Sequence, residues 1–288
     1  MPFAETTLND GHVLPALGFG TWQLPPARVP EVLAHAIDAG FRHFDTAHAY
    51  LNEAAIGAYL RDESGLSRGS YHVTSKLWND RHGFDETLRA FDGTMERLGL
   101  DVLDLYLIHW PVPMENRYVD AWRAMIRLRD EGRIRSIGVS NFEEAHLERI
   151  VGETGVAPAV NQIELHPAFA QTGARAHHAR LGVIIESWSP LGQGQMMRDP
   201  VLGRIAGKHG KTPAQVMLRW HLDQGLIVIP RSKTAANIRA NADVFDFALD
   251  AGDMAEIATL DRGEAGRIGP RPMELGPVAL PRSVAPAS

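Results

Sequence analysis

Four residues of types that can move a proton stand far apart in this sequence: Asp45, Tyr50, Lys76 and His109. An aldehyde or ketone that accepts hydride develops negative charge on its oxygen and needs a positioned proton donor, which a tyrosine can be. A free phenol has a pKa of about 10, too high for good acid catalysis near neutrality, so its anion needs a stabilising partner. An ammonium about 4 Å away, at an effective dielectric of about 20, contributes on the order of 4 kcal/mol, or roughly three pK units before desolvation opposes it. Lys76 can be that ammonium. The chain holds only four lysines, at 76, 208, 211 and 233, against a background of arginines, so each marks a place where a compact, titratable amine could be needed. Asp45 would keep the Lys76 ammonium in place and charged, and His109 would hydrogen-bond the carbonyl oxygen or help relay the proton.

These residues act together only if the fold gathers them. From Leu17 onward, short apolar runs bounded by turn residues alternate with amphipathic helical stretches, the pattern of repeated βα units and a parallel sheet. Strands are expected at 17–20, 43–45, 72–76, 102–109, 134–140, 160–164, 183–188 and 226–229, with helices such as 30–39, 85–98, 119–130 and 143–151 between them. Eight alternating pairs imply an α/β fold, a (β/α)8 TIM barrel, whose reacting groups stand at the C-terminal ends of the strands. The second, third and fourth expected strands finish with Asp45, Lys76 and His109, and Tyr50 follows the second in the loop that opens the next helix. Residues 6–8 and 12–14 flank Asn9-Asp10-Gly11, a hairpin signal for an N-terminal plug at about 6–14. An extra C-terminal helix is expected at 253–260 and a Pro- and Gly-rich tail at about 263–288. A length of 288 residues suits one large barrel, so a single domain spanning 1–288 is expected.

Composition narrows the chemistry. With no cysteine there is no thiol nucleophile, iron–sulfur cluster or thiolate zinc site. A net charge of -6 lacks the basic excess that phosphate backbones demand, which argues against a nucleic-acid partner. No run of about twenty apolar residues could span a bilayer, and the first ten residues do not read as a secretory signal, so a soluble, cytoplasmic protein is expected. No metal is expected: His177-His178 are adjacent on a helix and point in different directions, and there is no H-E-x-x-H.

The run Gly40-Phe41-Arg42-His43-Phe44-Asp45-Thr46-Ala47, followed by Glu53 and Ile56-Gly57, closely resembles the first signature of the aldo-keto reductases. Arg135-Ser136-Ile137-Gly138-Val139-Ser140-Asn141-Phe142 resembles the second, and Ile229-Pro230-Arg231-Ser232 opens the third. The stretches 161–167 and 186–194 look most like the bacterial 2,5-diketo-D-gluconate reductases. The resemblance runs from about Thr7 to Pro272 and carries the family's catalytic tetrad onto Asp45, Tyr50, Lys76 and His109. It implies a monomeric NADPH-dependent reductase of small-molecule carbonyls, among them keto-sugar acids.

The cofactor cannot sit on a Rossmann loop, because Gly18-Phe19-Gly20 lacks the third glycine of G-x-G-x-x-G. The resemblance instead implies a dinucleotide extended across the barrel mouth. Ser140, Asn141 and Gln162 would hydrogen-bond the carboxamide and Trp188 would stack on the nicotinamide. Thr21, Ser189, Leu191 and Gln193 would line the dinucleotide's path. After the eighth strand, Arg231, Ser232 and Lys233 lead into a helix whose N-terminus favours a phosphate, and Asn241 matches an adenine contact. Arg231 replaces the family's usual lysine and Asn237 an arginine, with Lys233 and Arg239 as compensating cations, so NADPH is expected to be preferred and NADH usable. Trp22, Trp78 and Trp110 follow the first, third and fourth strands and are expected to form an apolar substrate wall. Two other readings remain open: a lyase that forms a Schiff base on Lys76, and a module that holds NADP without turnover.

Overall fold

A computed structural model describes residues 3–277; residues 278–288 of the expected tail lie outside the described residues. The chain opens with an antiparallel hairpin of β1 (Glu5–Thr7) and β2 (Val13–Pro15). Eight parallel strands follow in one sheet: β3 (Phe19–Gly20), β4 (His43–Asp45), β5 (His72–Leu77), β6 (Leu103–Ile108), β7 (Ile134–Ser140), β8 (Val160–Glu164), β9 (Ile184–Trp188) and β10 (Ile227–Val228). The sheet closes on itself: Leu17 bridges Val228 in parallel, Gly18 N donates to Val228 O at 2.9 Å and Val228 N to Ala16 O at 2.9 Å. β3 and β10 are shorter than the four residues expected of each. They form the closing seam, and Pro230 has no N–H with which to extend it.

Strand β6 displays the packing logic. It reads Leu-Asp-Leu-Tyr-Leu-Ile and is buried throughout, as a strand covered on both faces must be. Leu105 and Leu107 cluster with Val160, Ile227 and the hairpin's Leu8 and Leu14, whereas Tyr106 and Ile108 pack with Phe91 and Trp122 of the surrounding helices. The hairpin therefore closes the N-terminal end of the barrel, as expected, and chemistry is confined to the other end.

The outer layer consists of α1 (Val29–Asp38), α2 (Glu53–Ala58), α3 (Phe84–Leu98), α4 (Tyr118–Asp130), α5 (Glu144–Thr154), α6 (Thr172–Leu181), α7 (Pro200–His209), α8 (Pro213–Leu222), α9 (Ala235–Ala242) and α10 (Ala251–Ala258). In α3 the inward residues Phe91, Met95 and Leu98 recur at helical spacing. Gly57 of α2 allows the end of α3 to approach closely, since a Cβ there would lie 2.1 Å from Leu98 O. Two helices lie outside the eightfold repeat, not one. Besides the expected α10, α7 is inserted between β9 and α8; it ends at Gly210, with φ +64, and α8 restarts at once on a Thr212–Gln215 capping box. Lys208 bonds Asp250 at 2.5 Å and Asp253 at 2.8 Å, docking α7 on α10. Lys211 likewise pairs with Asp243 and Asp246, so these two lysines serve as structural ties. No helix among the described residues is long and apolar enough to cross a membrane.

The barrel also buries histidines. Burial pushes the pKa of His43 down to about 3 and that of His82 down to about 4, whereas an unfolded histidine titrates near about 6.5. The unfolded chain therefore takes up protons below that pH that the folded chain refuses, and stability falls as pH drops from about 6.5 toward 4. Neither ring nitrogen of His82 has a partner among the described residues, so an apolar replacement forfeits no hydrogen bond to them. His82→Leu is expected to lose about 2 kcal/mol less stability than the parent between pH 7.5 and pH 5, measured by urea unfolding. Equal losses in the two proteins would remove His82 from the acid response.

Candidate active site

The strand ends bring the four proton-handling residues together. Lys76 is wholly buried, and its Nζ donates to both Asp45 oxygens at 2.7 Å, to Thr46 O at 2.9 Å and to Tyr50 Oη at 3.3 Å. Asp45 and Lys76 come from adjacent strands, β4 and β5. Tyr50 sits in the short helical turn His48–Tyr50 between β4 and α2. That turn is tied at both ends: Thr46 Oγ1 donates to Asn52 Oδ1 at 2.7 Å, while Glu53, at the start of α2, accepts from Ser75 at 2.5 Å and Arg97 at 2.7 Å. The His109 ring meets Tyr50 edge to face, with centroids 5.8 Å apart, and Trp78 likewise at 5.1 Å.

Electrostatics around Tyr50 differ from the expectation. Burial, with Asp45 adding to it, outweighs the pull of Lys76 and pushes the phenol up to about 12, so at rest Tyr50 is a weaker acid than free tyrosine. Burial alone would lower Lys76, but Asp45 and Tyr50 hold its ammonium above the ordinary lysine range. Burial, helped by Lys76, lowers the pKa of His109 well below the ordinary value. Burial raises the Asp45 pKa against the pull of Lys76 and its hydrogen bonds. At neutral pH the cluster thus holds a phenol, an ammonium bound to both Asp45 oxygens, and a neutral imidazole.

Beside it, Gln162 Nε2 donates across the barrel to Asp45 Oδ2 at 2.8 Å and to Glu186 Oε1. Ser140 Oγ donates to Gln162 O at 2.8 Å. Asn141, at φ +61, donates to His109 O at 2.9 Å and Ser140 Oγ at 3.0 Å, and accepts from Trp188 Nε1 at 2.8 Å. Asn141 thereby fixes the indole orientation. Thr21 is buried and its hydroxyl is spent on Asp45 O at 2.8 Å. Ser189 and Leu191 are half-buried and Gln193 is exposed on the loop after β9.

At the closing seam, beyond β3 and β10, Arg231 lies over the Trp22 ring at 5.8 Å and donates to Trp22 O at 3.3 Å. Ser232 Oγ accepts from Thr234 N at 3.4 Å, and Thr234 caps α9. Lys233 is exposed and Asn241 buried. Of the three tryptophans, Trp22 is 47% exposed and paired with Arg231, Trp78 lies against His109 and Trp110 is buried.

Sequence reasoning did not single out several residues that the fold places here. Arg28 donates to Lys233 O at 3.3 Å, adding a cation beside α9. Glu164, ending β8, accepts backbone N–H groups from Ile268 at 2.7 Å and Gly269 at 2.8 Å, which seats the C-terminal segment on the rim. A Cβ on Gly269 would lie 2.5 Å from Trp188 Cη2, so that segment presses on the indole. A charged residue at a strand end was the available signal for Glu164, but its partners are backbone amides a hundred residues later, which carry no side-chain signature. His177 Nδ1 pairs with Glu144 at 2.8 Å and also lies 2.9 Å from Arg180. His178 bonds Asn161 and Ala174 O.

A parallel βα barrel with a tyrosine, a lysine–aspartate pair, a histidine and an indole at its C-terminal rim has the build of a barrel oxidoreductase. Residues 16–262 match the model of the Aldo/keto reductase family; the chain belongs to that family and is an oxidoreductase. It is 53% identical over 266 residues to an aldo-keto reductase of Mycolicibacterium smegmatis, covering 92% of this chain and 96% of the relative. It is 47% identical over 271 residues to the methylglyoxal reductase DkgA of Escherichia coli, covering 93% and 97%. The crystal structure of a Gox0644 variant in complex with NADPH superposes with a TM-score of 0.91 at 46% identity, covering 96% of this chain and 99% of that one.

The contact between Gly269 and Trp188 is testable. Gly269→Val must displace either the indole or the segment, an overpacking that costs about 1–3 kcal/mol, and the tryptophan band in near-ultraviolet circular dichroism is expected to change. An unchanged band would show that the segment does not bear on Trp188.

Proposed function

We propose that this enzyme reduces aldehydes and ketones to alcohols with hydride from NADPH, and that Tyr50 is the general acid. The observation that carries the reading is the position of Lys76 Nζ, 3.3 Å from Tyr50 Oη while bound to both oxygens of Asp45. The residues present fit the cofactor. Gln162 Oε1 accepts no protein hydrogen bond among the described residues and is not among the sealed polar atoms, so it can accept from a carboxamide. The Trp188 indole, oriented by Asn141, offers a face for a ring. Arg231, Lys233 and Arg28 surround the N-terminus of α9, where exposed amides favour a phosphate.

When bound, the reduced nicotinamide supplies hydride to the carbonyl carbon. Tyr50 donates its phenolic proton to the carbonyl oxygen, and the Lys76 ammonium meets the phenolate that this leaves. Asp45 keeps that ammonium charged and aimed. The neutral His109 ring can donate one N–H to the same carbonyl oxygen and orient it. A Schiff base on Lys76 is disfavoured, since the amine is wholly buried, held charged and committed to oxygen acceptors. A cofactor-holding module without turnover would not need a phenol beside a buried ammonium. The substrates proposed are small: methylglyoxal, after which the E. coli relative is named, and keto-sugar acids.

Tyr50→Phe removes the proton and leaves the ring. Its kcat for carbonyl reduction is expected to fall by about 10² to 10⁴, with NADPH binding retained by fluorescence titration; activity within tenfold of the parent would end the general-acid assignment. NADPH is expected to give the higher kcat/KM, with NADH still turned over. Arg231→Ala is expected to raise the KM for NADPH about tenfold, the equivalent of one charge-assisted hydrogen bond, and to leave that for NADH unchanged. Equal effects on the two cofactors would place Arg231 outside the phosphate contact.

A further inference from the structure

Within the barrel lies a carboxyl group that the proposed reaction does not use. Glu186, the middle residue of β9, is wholly buried and in register with Gln162 of β8. Gln162 Nε2 donates to Glu186 Oε1 and to Asp45 Oδ2. An amide nitrogen carries two hydrogens, so both are spent. Turning the amide over would set Gln162 Oε1 against the Asp45 carboxylate and forfeit both N–H donations, to Asp45 and to Glu186. The pair thus decides which end of the amide faces outward.

The charges facing Glu186 are few. Lys76 from β5 is already matched by Asp45 from β4, and His43 from β4, 3.8 Å from Glu186 Oε2, is kept neutral by burial. A second carboxylate here would have no cation of its own. Burial, with Asp45 adding to it, pushes Glu186 up to about 8, so near neutrality it is a carboxylic acid that accepts through its carbonyl oxygen.

We propose that Glu186 is a positioning residue: together with Asp45 it locks the Gln162 amide nitrogen-inward, presenting Oε1 as the fixed acceptor for the N–H of the nicotinamide carboxamide. This rests on the reading that Gln162 receives the carboxamide. The carboxamide is the handle that distinguishes the two faces of the nicotinamide ring. A lost acceptor should therefore appear in cofactor KM and in the stereochemistry of hydride transfer, more than in kcat at saturation.

The test compares Glu186→Gln, Glu186→Met, Glu186→Thr and Gln162→Leu with the parent. NADPH deuterated at one C4 position reports the transferred face. Glu186→Gln keeps a carbonyl acceptor and no charge, and is expected to remain within about threefold of the parent. Glu186→Met removes the acceptor at similar volume, and is expected to raise the KM for NADPH about tenfold and to lower the fidelity of deuterium transfer, as Gln162→Leu does. Glu186→Thr, small enough to fit and too short to reach Gln162, gives the same reading should the methionine variant fail to fold. Parent-like KM and fidelity in either acceptor-free variant, with Gln162→Leu impaired, would overturn the role of Glu186 alone. Equal impairment in the glutamine variant would also overturn it. Parent-like behaviour of Gln162→Leu would remove the carboxamide reading itself.

Discussion

The Lys76–Asp45 ion pair is the constraint around which the barrel's C-terminal end is arranged. Taking two ions out of water costs several kcal/mol each, and their attraction offsets this only when geometry is good and the remaining donors and acceptors are filled. Here both carboxylate oxygens meet Nζ at 2.7 Å, while Thr46 O accepts a further bond and Gln162 donates to Asp45. Removing either partner would strand an uncompensated charge, so the pair holds β4, β5 and β8 in a single arrangement. The loop carrying Tyr50 is then fixed against that pair by Asn52 and Glu53.

Much of this architecture was legible because a parallel barrel imposes two simple signals, continuous apolar runs for strands and helical spacing between them. β7 and β8 fall within the bounds that the sequence predicts, 134–140 and 160–164, although both mix polar with apolar residues, because turn residues such as Gly132 and Pro158 mark where each begins. The seam strands were less legible because their length depends on closure, a property of the whole ring. α7 was hidden because only Gly210 and Lys211 separate it from the cap of α8, too short a break to distinguish from one long crossover.

At the site, the chemistry-bearing side chains were readable and their energetics were not. Coulomb attraction between Lys76 and Tyr50 can be estimated from residue types, but desolvation depends on burial that only the folded barrel creates, and here desolvation wins. Glu186 looked like an ordinary strand residue in Ile-Ile-Glu-Ser-Trp. Its signal was a charge inside a strand that must be covered on both faces, where a carboxyl has to be neutral or paired. The rim loops have their own signature. All eight non-glycine residues with positive φ among the described residues, from Gln23 to Gln193, lie between the end of a barrel strand and the next helix. Strain of this kind persists where surrounding structure overdetermines it, and the closed hairpin end shows none.

The raised pKa of Tyr50 also bears on how the proposed reaction is catalysed. A phenol already ionised at rest would have no proton to give, and a stabilised resting phenolate would lower the ground state along with the transition state. Only interactions that strengthen as charge develops accelerate a reaction. Toward the neutral phenol, Lys76 acts as a charge on a dipole; toward the forming phenolate it acts as a charge on a charge. The same burial that weakens Tyr50 as a resting acid therefore enlarges the difference between the two states. Because Asp45 holds the ammonium before substrate arrives, little reorganisation is needed when the proton leaves.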